Sequence, residues 1–199
     1  MARVTSLKPK YIPLFQKPCF CNVTCLQMVL HRRGCGLFDQ EKMAKFFGVG
    51  VARKDAKCYT EKFRVVRDAL DPLSGLATSQ SAARTNAFFK RNNIGLAATG
   101  AYVSEINDLA EFLRKNIEQD NDLWFEYSIK GIHGNCDYEY HDGLVESVTV
   151  SGKKAYAIVM DPDPAHRSRF KIDIAVLRKA IFQDAKAKRK FGFIVISKK

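Results

Sequence analysis

The amino-acid sequence predicts an α+β fold, in which an N-terminal helical lobe packs on a C-terminal antiparallel β-sheet. Apolar residues recur at helical spacing in the first part of the chain, about residues 16–120, whereas segments rich in β-branched and aromatic residues dominate the second, about residues 121–199. No repeat or Pro/Gly/Ser-rich linker separates the two parts. Because 199 residues suit one domain, we expect a single domain over residues 1–199.

The first predicted helix is nearly apolar on all sides, which indicates a central, buried position. It covers about Asn22–His31 and follows a proline-bounded extended segment at Tyr11–Phe15. Cys25, Met28 and Val29 recur at i, i+3 and i+4, and a pair of glycines follows the helix. This element is the most strongly patterned in the sequence.

Capping signals mark the other helices. Asp39 is a predicted N-cap for a helix that runs through Phe47 and is stopped by Gly48. Ser104 is a predicted N-cap for a later amphipathic helix. The apolar stripe of that helix is Ile106, Leu109, Leu113 and Ile117, and further helices are predicted at about 61–70, 82–91 and 174–185.

Strands are predicted where β-branched and aromatic residues cluster. A hairpin joins two of them, about Leu144–Val150 and Ala155–Met160, through a turn at Ser151-Gly152. The segment Gly131–Asn135 is predicted to be a loop. The remaining predicted strands are about 94–98, 123–129 and 191–197.

Charge and hydropathy exclude several classes of protein. Hydrophobic residues make up 46% and charged residues 27% of the chain, as in an ordinary globular protein rather than a disordered or fibrous one. No apolar run approaches the roughly 20 residues that cross a bilayer. No apolar segment follows the charged residues Met1–Lys10, so we expect no secretory signal and a cytoplasmic protein, or one exported by a non-classical route.

The chain is strongly basic, with 33 Lys and Arg against 21 Asp and Glu and a net charge of +12. Eleven of these basic residues but only two acidic ones lie within Arg167–Lys199. Such a face would attract an anionic partner, although a solvated basic surface explains it equally. The densest part of this basic C-terminal face consists of Lys186, Lys188, Arg189 and Lys190.

Six cysteines are present, and three of them, Cys19, Cys21 and Cys25, lie within seven residues. Without a secretory signal we expect reduced thiols. Zinc binding by these cysteines with Cys35 and a histidine (His31 or His133) is an alternative. The spacing is not the paired Cys-x-x-Cys of zinc ribbons, and a helix continues through Cys25, so we expect neither a metal nor a cofactor.

Cys21 is the candidate nucleophile, because it stands where the apolar helix begins. A helix N-terminus favours a thiolate, and the backbone N–H of Cys21 could form half of an oxyanion hole. Gln16, five residues upstream, could supply the other half from its side-chain amide. The alternative is a purely structural role, in which Cys21 packs in the core as a small buried residue.

A cysteine nucleophile also needs an imidazole and a group that orients it. His141 precedes the first hairpin strand and Asp161 ends the second, so the hairpin brings them close. With the turn at Ser151-Gly152, Asp142 opposes Asp161, and strict alternation would place His141 and Asp161 on opposite faces. A bulge, a longer turn, or an Asp161 that leaves the ladder would restore a common face.

These residues resemble a known family, the papain-like cysteine peptidases, and within it most closely the bacteriocin-processing type that cuts after double-glycine leaders. The resemblance covers most of the chain and departs from the family at Phe20 and Asn22, where an acidic residue and a glycine are usual. It implies that Cys21 is the nucleophile, His141 the base, Asp161 the orienting carboxylate and Gln16 the oxyanion donor. The matching segments are Gln16, Cys21-Asn22-Val23-Thr24-Cys25-Leu26-Gln27-Met28-Val29-Leu30, His141-Asp142-Gly143-Leu144-Val145 and Asp161-Pro162.

The sequence therefore predicts a cysteine peptidase of papain-like fold that hydrolyses a peptide or isopeptide bond of a protein substrate. An acyltransferase or amidase with the same triad is one alternative. A non-enzymatic module that binds polyanions through its basic face is the other. His133, Cys136 and His166 are predicted to be incidental to function.

Overall fold

A computed structural model describes residues 2–67, 78–133, 140–182 and 192–199. The helices in these ranges are α1 (Cys21–Arg32), α2 (Gln40–Phe47), α3 (Thr78–Arg91), α4 (Leu109–Glu118), α5 (Ile129–His133) and α6 (Ile174–Phe182). The strands are β1 (Arg3–Ser6), β2 (Gly50–Ala52), β3 (Arg64–Val66), β4 (Leu96–Tyr102), β5 (Asp122–Ser128), β6 (Tyr140–Ser151), β7 (Lys154–Met160), β8 (Arg169–Asp173) and β9 (Gly192–Lys198).

The centre of the fold is a seven-stranded antiparallel sheet with the order β4-β9-β5-β6-β7-β8. The long strand β6 pairs with β5 through its first half and with β1 through its second half, on the same side. The large antiparallel sheet and several helices agree with the predicted α+β class. The predicted segregation is incomplete, however, because β1 and β4 come from the first part of the chain and α5 and α6 from the second.

Helix α1 is confirmed as a central, buried element, with bounds one residue wider at each end than predicted. Its apolar side chains, among them Leu26, Val29 and Leu30, have at most 1% of their surface exposed. The helix packs against β6 and β5. Burial of each such aliphatic side chain contributes roughly 1.5–3 kcal/mol, so α1 is anchored firmly enough to hold its N-terminus in one place.

Helix α2 follows its predicted caps. The Asp39 carboxylate accepts a hydrogen bond from the backbone N–H of Lys42 at 2.9 Å. Gly48 ends the helix in the left-handed conformation, with φ of 69°, which a residue without Cβ adopts at no steric cost. Both ends were readable because the capping interactions are local.

Two helix predictions in the first part of the chain are wrong. No helix forms at Glu61–Leu70 in its described part, because β3 pairs there in parallel with β2 over Arg64–Val66. Ser104 is not an N-cap, since it lies in a 3₁₀ turn at Val103–Glu105. The helix begins later and is capped by Asp108, whose carboxylate accepts from the N–H of Glu111 at 3.0 Å.

Two further differences lie near the hairpin. The predicted loop Gly131–Asn135 begins as the last residues of the one-turn helix α5 (Ile129–His133), with 134 and 135 outside the described residues. Strand β8 (Arg169–Asp173) was not predicted, and it extends the sheet by pairing with β7. These elements bring His133 and the loop before β8 to the same end of the sheet.

The β6–β7 hairpin carries a bulge that determines which side chains share a face. Ser151 pairs with Lys154, so the turn residues are Gly152 and Lys153 rather than Ser151-Gly152. The register then shifts by one between Val145 and Ser147. An extra residue on one strand reverses the alternation of the residues beyond it.

The bulge has a direct consequence for the predicted triad. Beyond it, Leu144 pairs with Met160. Continuing this register by one residue places Asp161 beside Gly143, two residues from His141. Residues two apart point to the same face, so the bulge gives His141 and Asp161 the common face that the predicted register lacked.

Buried side chains from the helices and from both halves of the chain form one continuous hydrophobic core. In the described ranges, no helix combines the length and the apolar character that crossing a membrane requires. Several predictions lie outside the described residues: Cys136, the end of the helix at 174–185, and the basic run of Lys186, Lys188, Arg189 and Lys190.

Candidate active site

Cys21 is the first residue of α1 and remains partly exposed. Its thiol donates a hydrogen bond to Asp142 Oδ2, with a sulfur–oxygen distance of 3.1 Å. No side chain caps the N-terminus of α1, where Phe20 is the N-cap. The first N–H groups of a helix have no acceptor within the helix, so the N–H of Cys21 keeps its capacity to bind an oxyanion.

Asp142 is buried on β6 and is held in place from two sides. Its Oδ1 accepts a hydrogen bond from the indole N–H of Trp124 at 2.7 Å, while its Oδ2 accepts from the Cys21 thiol. Burial raises the pKa of the Asp142 carboxyl, although the two hydrogen bonds oppose this shift. No role was predicted for Asp142, which follows His141 in the motif.

The thiol is protonated in this arrangement. Burial raises the pKa of Cys21 well above its ordinary value, and the nearby Asp142 carboxylate raises it further. The prediction that the helix N-terminus favours a thiolate therefore does not describe this state. Removal of a sulfur from water, together with an adjacent carboxylate, outweighs the partial positive charge at the helix end.

His141 and Asp161 form the pair that the sequence predicted. The Nε2–H of His141 donates to Asp161 Oδ1 at 2.7 Å, and both side chains are buried. Tyr127, the cross-strand neighbour of His141 on β5, donates its hydroxyl to Asp161 Oδ2 at 2.9 Å. The backbone N–H of Asp163 also donates to Asp161 Oδ1, at 2.8 Å.

These donors keep Asp161 ionised. Burial alone would raise the pKa of this carboxyl, but the hydrogen bond and charge of His141, with the bonds from Asp163 and Tyr127, lower it below its usual value. A buried carboxylate with several donors can orient an imidazole and stabilise its protonated form. Asp161 has the environment that the role of orienting group requires.

Gln16 is tied to the segment that carries Asp161. Its backbone N–H donates to the carbonyl oxygen of Pro162 at 2.9 Å. The side-chain Oε1 of Gln16 is buried and has no hydrogen-bond partner among the described residues. A buried amide oxygen without a partner is costly, and such atoms often mark functional sites.

The structure thus brings the four predicted residues to one region, but it does not join all of them. Gln16 contacts the Asp161–Pro162 segment and His141 contacts Asp161. The hydrogen bond of the Cys21 thiol goes to Asp142 rather than to His141. The reason is strand alternation, which directs the adjacent side chains of His141 and Asp142 to opposite faces of β6.

Cys21 nevertheless lies near the His141–Asp161 pair. The pKa of the Tyr127 hydroxyl is raised by burial, then by its partner Asp161, and further by the sulfurs of Cys25 and Cys21. The surroundings of the Tyr127 hydroxyl thus include Asp161 and both cysteines of α1.

Two histidines that the sequence left as incidental converge on Asp161. His166 Nδ1 lies 3.2 Å and His133 Nε2 lies 3.4 Å from Asp161 Oδ2. Their rings stack with centroids 4.0 Å apart and planes inclined by 11°. Their convergence on Asp161 was not predicted, and the prediction that they are incidental to function stays a prediction. The sequence contains one signal for this placement. Asp161-Pro162-Asp163-Pro164 is typical of a turn, and a turn at this point brings the following His166 back toward Asp161.

Among the residues that the structure describes, two groups of side chains have the spacing of metal ligands. In each group the ligand atoms lie within 4.8 Å of one another, and neither group includes a cysteine. The zinc alternative built on cysteines fails geometrically, since Cys21 and Cys35 lie at opposite ends of α1, a helix about 18 Å long. The two groups are His133, Asp161 and His166, and His141, Asp163 and His166.

A cavity of about 400 Å³ adjoins the histidine cluster on the side of β8 and α6. His133 forms part of its wall, together with two basic and several apolar side chains. The cavity is open enough to admit a small ligand or the end of a side chain. The lining residues include Ile132, Arg167, Phe170, Lys171 and Ile172.

Comparison of the chain with protein-family models and with curated proteins finds no match. The fold class thus rests on the structure, and the resemblance to papain-like peptidases stays a prediction from the residues quoted above.

Proposed function

We propose that this protein is a cysteine peptidase of papain-like type, with Cys21 as nucleophile, His141 as base, Asp161 as orienting carboxylate and Gln16 as oxyanion donor. The observation that supports it most is the buried 2.7 Å hydrogen bond between His141 and Asp161, located near a cysteine at a helix N-terminus. A nucleophile, a base and an orienting group are the parts that thiol catalysis needs.

His141 uses Nε2 to bind Asp161, so its Nδ1 is the nitrogen that would accept the thiol proton. The reaction begins when the Cys21 thiol turns from Asp142 toward His141 and transfers its proton to Nδ1. The thiolate then attacks the scissile carbonyl carbon, whose oxygen becomes an oxyanion. His141 and Asp142 are adjacent on β6 and point to opposite faces, so the reactive state requires Cys21 to leave Asp142 and the start of α1 to move toward His141.

The oxyanion would be held by the backbone N–H of Cys21 and the side-chain amide of Gln16. The tetrahedral intermediate collapses as the carbon–nitrogen bond breaks and the protonated His141 gives its proton to the leaving amine. A thioester on Cys21 remains, and water activated by His141 hydrolyses it to release the acid and the thiol. No cofactor enters this sequence of steps.

The test uses the full chain and a library of internally quenched fluorescent peptides. We expect cleavage that Cys21→Ala reduces by at least about 10⁴-fold, as loss of the nucleophile does in triad peptidases. Cys58→Ala is the matched control, since Cys58 is an exposed cysteine at the end of a 3₁₀ helix and was not predicted to take part in catalysis. The proposal fails if both variants cleave at the wild-type rate.

Hydrolysis and acyl transfer share the same acyl-enzyme. Adding an excess of a primary amine to the cleavage reaction and analysing the products by mass spectrometry separates them. Hydrolysis gives the free acid as the main product, whereas an acyltransferase gives the amide adduct. Cys21→Ala abolishes both products in either case.

A further inference from the structure

Asp161 carries two kinds of imidazole contact, which differ in length. The contact with His141 is 2.7 Å, in the range of about 2.7–2.9 Å that charge-assisted N–H···O bonds occupy. The contacts with His166 and His133 are 3.2 and 3.4 Å, both at Oδ2, and the Nε2 of His133 also lies 3.4 Å from the Tyr127 hydroxyl. The His141 contact is a short charge-assisted hydrogen bond, whereas the His166 contact lies at the long end of the usual N–H···O range and the His133 contact lies beyond it.

The longer distances match the ligand spacing around a metal ion. Zinc binds histidine nitrogen and carboxylate oxygen at about 2.0–2.1 Å in tetrahedral sites, so the ligand atoms themselves lie roughly 3.3–3.4 Å apart. The measured 3.2 and 3.4 Å edges agree with that spacing, and the third edge, between the two imidazole nitrogens, is no longer than 4.8 Å. The two rings are stacked with planes inclined by 11°, so binding of one ion by both nitrogens requires one ring to rotate out of the stack.

We propose that Asp161 Oδ2, His133 Nε2 and His166 Nδ1 form a binding site for a divalent transition-metal ion, with Zn²⁺ as the ion that fits the donor set. Two imidazoles and one carboxylate are ligands that zinc accepts readily. Three protein ligands leave a fourth position for water or for a ligand from solution.

Surrounding groups hold these ligands in position. The Tyr127 hydroxyl donates to Asp161 Oδ2, and the N–H of Asp163 fixes the other oxygen. Asp163 in turn accepts from the N–H of Ala165 at 2.8 Å, which shapes the loop that presents His166. Outer hydrogen bonds of this kind orient ligands in metal sites.

The site has a route to solvent. His133 and His166 keep 17% and 12% of their side-chain surface exposed, whereas Asp161 is fully buried. The cavity of about 400 Å³ begins at His133, and its basic residues Arg167 and Lys171 favour an anion as the fourth ligand. The metal can therefore exchange without unfolding of the sheet.

One consequence rests on the proposed function. A metal bound to Asp161 withdraws negative charge from the carboxylate that orients His141, so Zn²⁺ would inhibit the peptidase. The metal site itself does not depend on that function, because the ligands are defined by geometry alone. Binding and activity are therefore measured separately, and either proposal can fail without the other.

The test is a titration of the full reduced chain with Co²⁺, followed by displacement with Zn²⁺. We expect one Co²⁺ per chain, with visible bands typical of a tetrahedral nitrogen–oxygen site and no thiolate-to-cobalt charge-transfer band. His133→Gln and His166→Asn should each weaken binding by more than the roughly 10–100-fold that loss of an outer-shell partner costs. His31→Gln is the matched control, since His31 lies in the last turn of α1 and belongs to neither group of candidate ligands.

Several outcomes overturn the metal site. One is the absence of Co²⁺ binding by wild-type protein that circular dichroism shows to be folded. Another is binding that both cluster variants retain unchanged. A third is a thiolate charge-transfer band that Cys21→Ser or Cys19→Ser removes, which would assign the metal to the cysteines.

Discussion

Two buried carboxylates, Asp142 and Asp161, lie at the same end of the β6–β7 hairpin. Their environments shift their pKa values in opposite directions. Asp142 is held by an indole N–H and a thiol, and burial leaves its pKa raised. Asp161 is held by the His141 imidazole, a phenol and a backbone N–H, and its pKa is lowered despite burial. The number and acidity of the donors decide the sign, because burial is common to both.

One end of the β6–β7 hairpin therefore supports two tasks. Asp161 stays ionised and can orient an imidazole, whereas Asp142 holds the Cys21 sulfur in its protonated form. Paired groups whose environments separate their pKa values are typical of acid–base sites. In the peptidase proposal, Asp142 keeps the thiol unreactive until the side chain turns toward His141.

The largest expected difference between the two carboxylates follows from the same change at each. Asp161→Asn should lower kcat/KM by up to about 10⁴-fold, the loss that this substitution causes in a Ser-His-Asp triad, because a neutral amide no longer stabilises a protonated His141. Asp142→Asn should leave kcat/KM within about tenfold of wild type. Cleavage of a fluorogenic peptide checks both, and equal losses in the two variants would remove the distinction between them.

Glu146, the residue at the bulge, gives the next largest effect. Its buried carboxylate accepts from the N–H of Tyr11 at 3.3 Å and from the guanidinium of Arg169 at 3.1 Å. Glu146→Ala leaves these donors without their acceptor, although Arg169 can partly turn to water, so we expect a loss of about 1–3 kcal/mol in the free energy of unfolding. Urea denaturation measures it.

The control for Glu146 is a surface carboxylate. Glu111 on α4 pairs with Arg114 at 2.6 Å and its side chain faces solvent, so Glu111→Ala should shift the urea midpoint much less than Glu146→Ala does. Equal urea-denaturation midpoints for Glu146→Ala and Glu111→Ala would mean that Glu146 does not stabilise the bulge. The bulge matters to the comparison because it decides whether His141 or Asp142 faces Asp161.

The sequence predicted the helices of the fold better than it predicted the pairing of the strands. Helices α1 and α2 were predictable because apolar periodicity and the caps at Asp39 and Gly48 are local signals. Strand β3 was not, because its pairing partner β2 lies more than ten residues away. Local propensity carries no information about such pairing.

The candidate site shows the same limit. Cys21, His141, Asp161 and Gln16 could be selected by residue type and order, and the structure brings them to one region. The Cys21–Asp142 bond was not predictable, since it depends on a bulge and on the face to which one strand directs two adjacent side chains. The clustering of His133 and His166 was not predictable either. It depends on α5 and the loop after β7 both packing against Asp161, which is a tertiary arrangement.

The third prediction concerns thiol reactivity. Asp142 raises the pKa of Cys21, so Asp142→Asn should lower it and increase the thiolate fraction near neutral pH. A fall of one pKa unit corresponds to about tenfold faster alkylation well below the pKa. Iodoacetamide labelling at several pH values, with peptide mapping, follows Cys21 and uses exposed Cys58 as the internal control.

In wild type, the alkylation rate of Cys21 should keep rising with pH beyond the ordinary thiol range near 8.5, because its pKa is raised. The profile of Asp142→Asn should shift to lower pH, while that of Cys58 stays in place. A Cys21 profile that is the same in both proteins would show that Asp142 does not control the thiol.

The smallest effects come from the two β5 side chains that support the two carboxylates. Trp124 donates to Asp142 and Tyr127 donates to Asp161, at 2.7 and 2.9 Å. Tyr127→Phe removes one of several donors to Asp161, so we expect kcat/KM to fall a few-fold, in line with the roughly 0.5–1.5 kcal/mol that one hydrogen bond contributes. Trp124→Phe should leave kcat/KM nearly unchanged.

Trp124→Phe acts instead on the thiol. Without the indole N–H, Asp142 keeps the 3.1 Å hydrogen bond from the Cys21 thiol, and its carboxylate then holds the proton on sulfur more strongly. Alkylation of Cys21 should then slow a few-fold, opposite in sign to the effect of Asp142→Asn. If Trp124→Phe impaired cleavage while Tyr127→Phe impaired alkylation, the two carboxylates would have exchanged the roles assigned to them, and the comparison would have to be reversed.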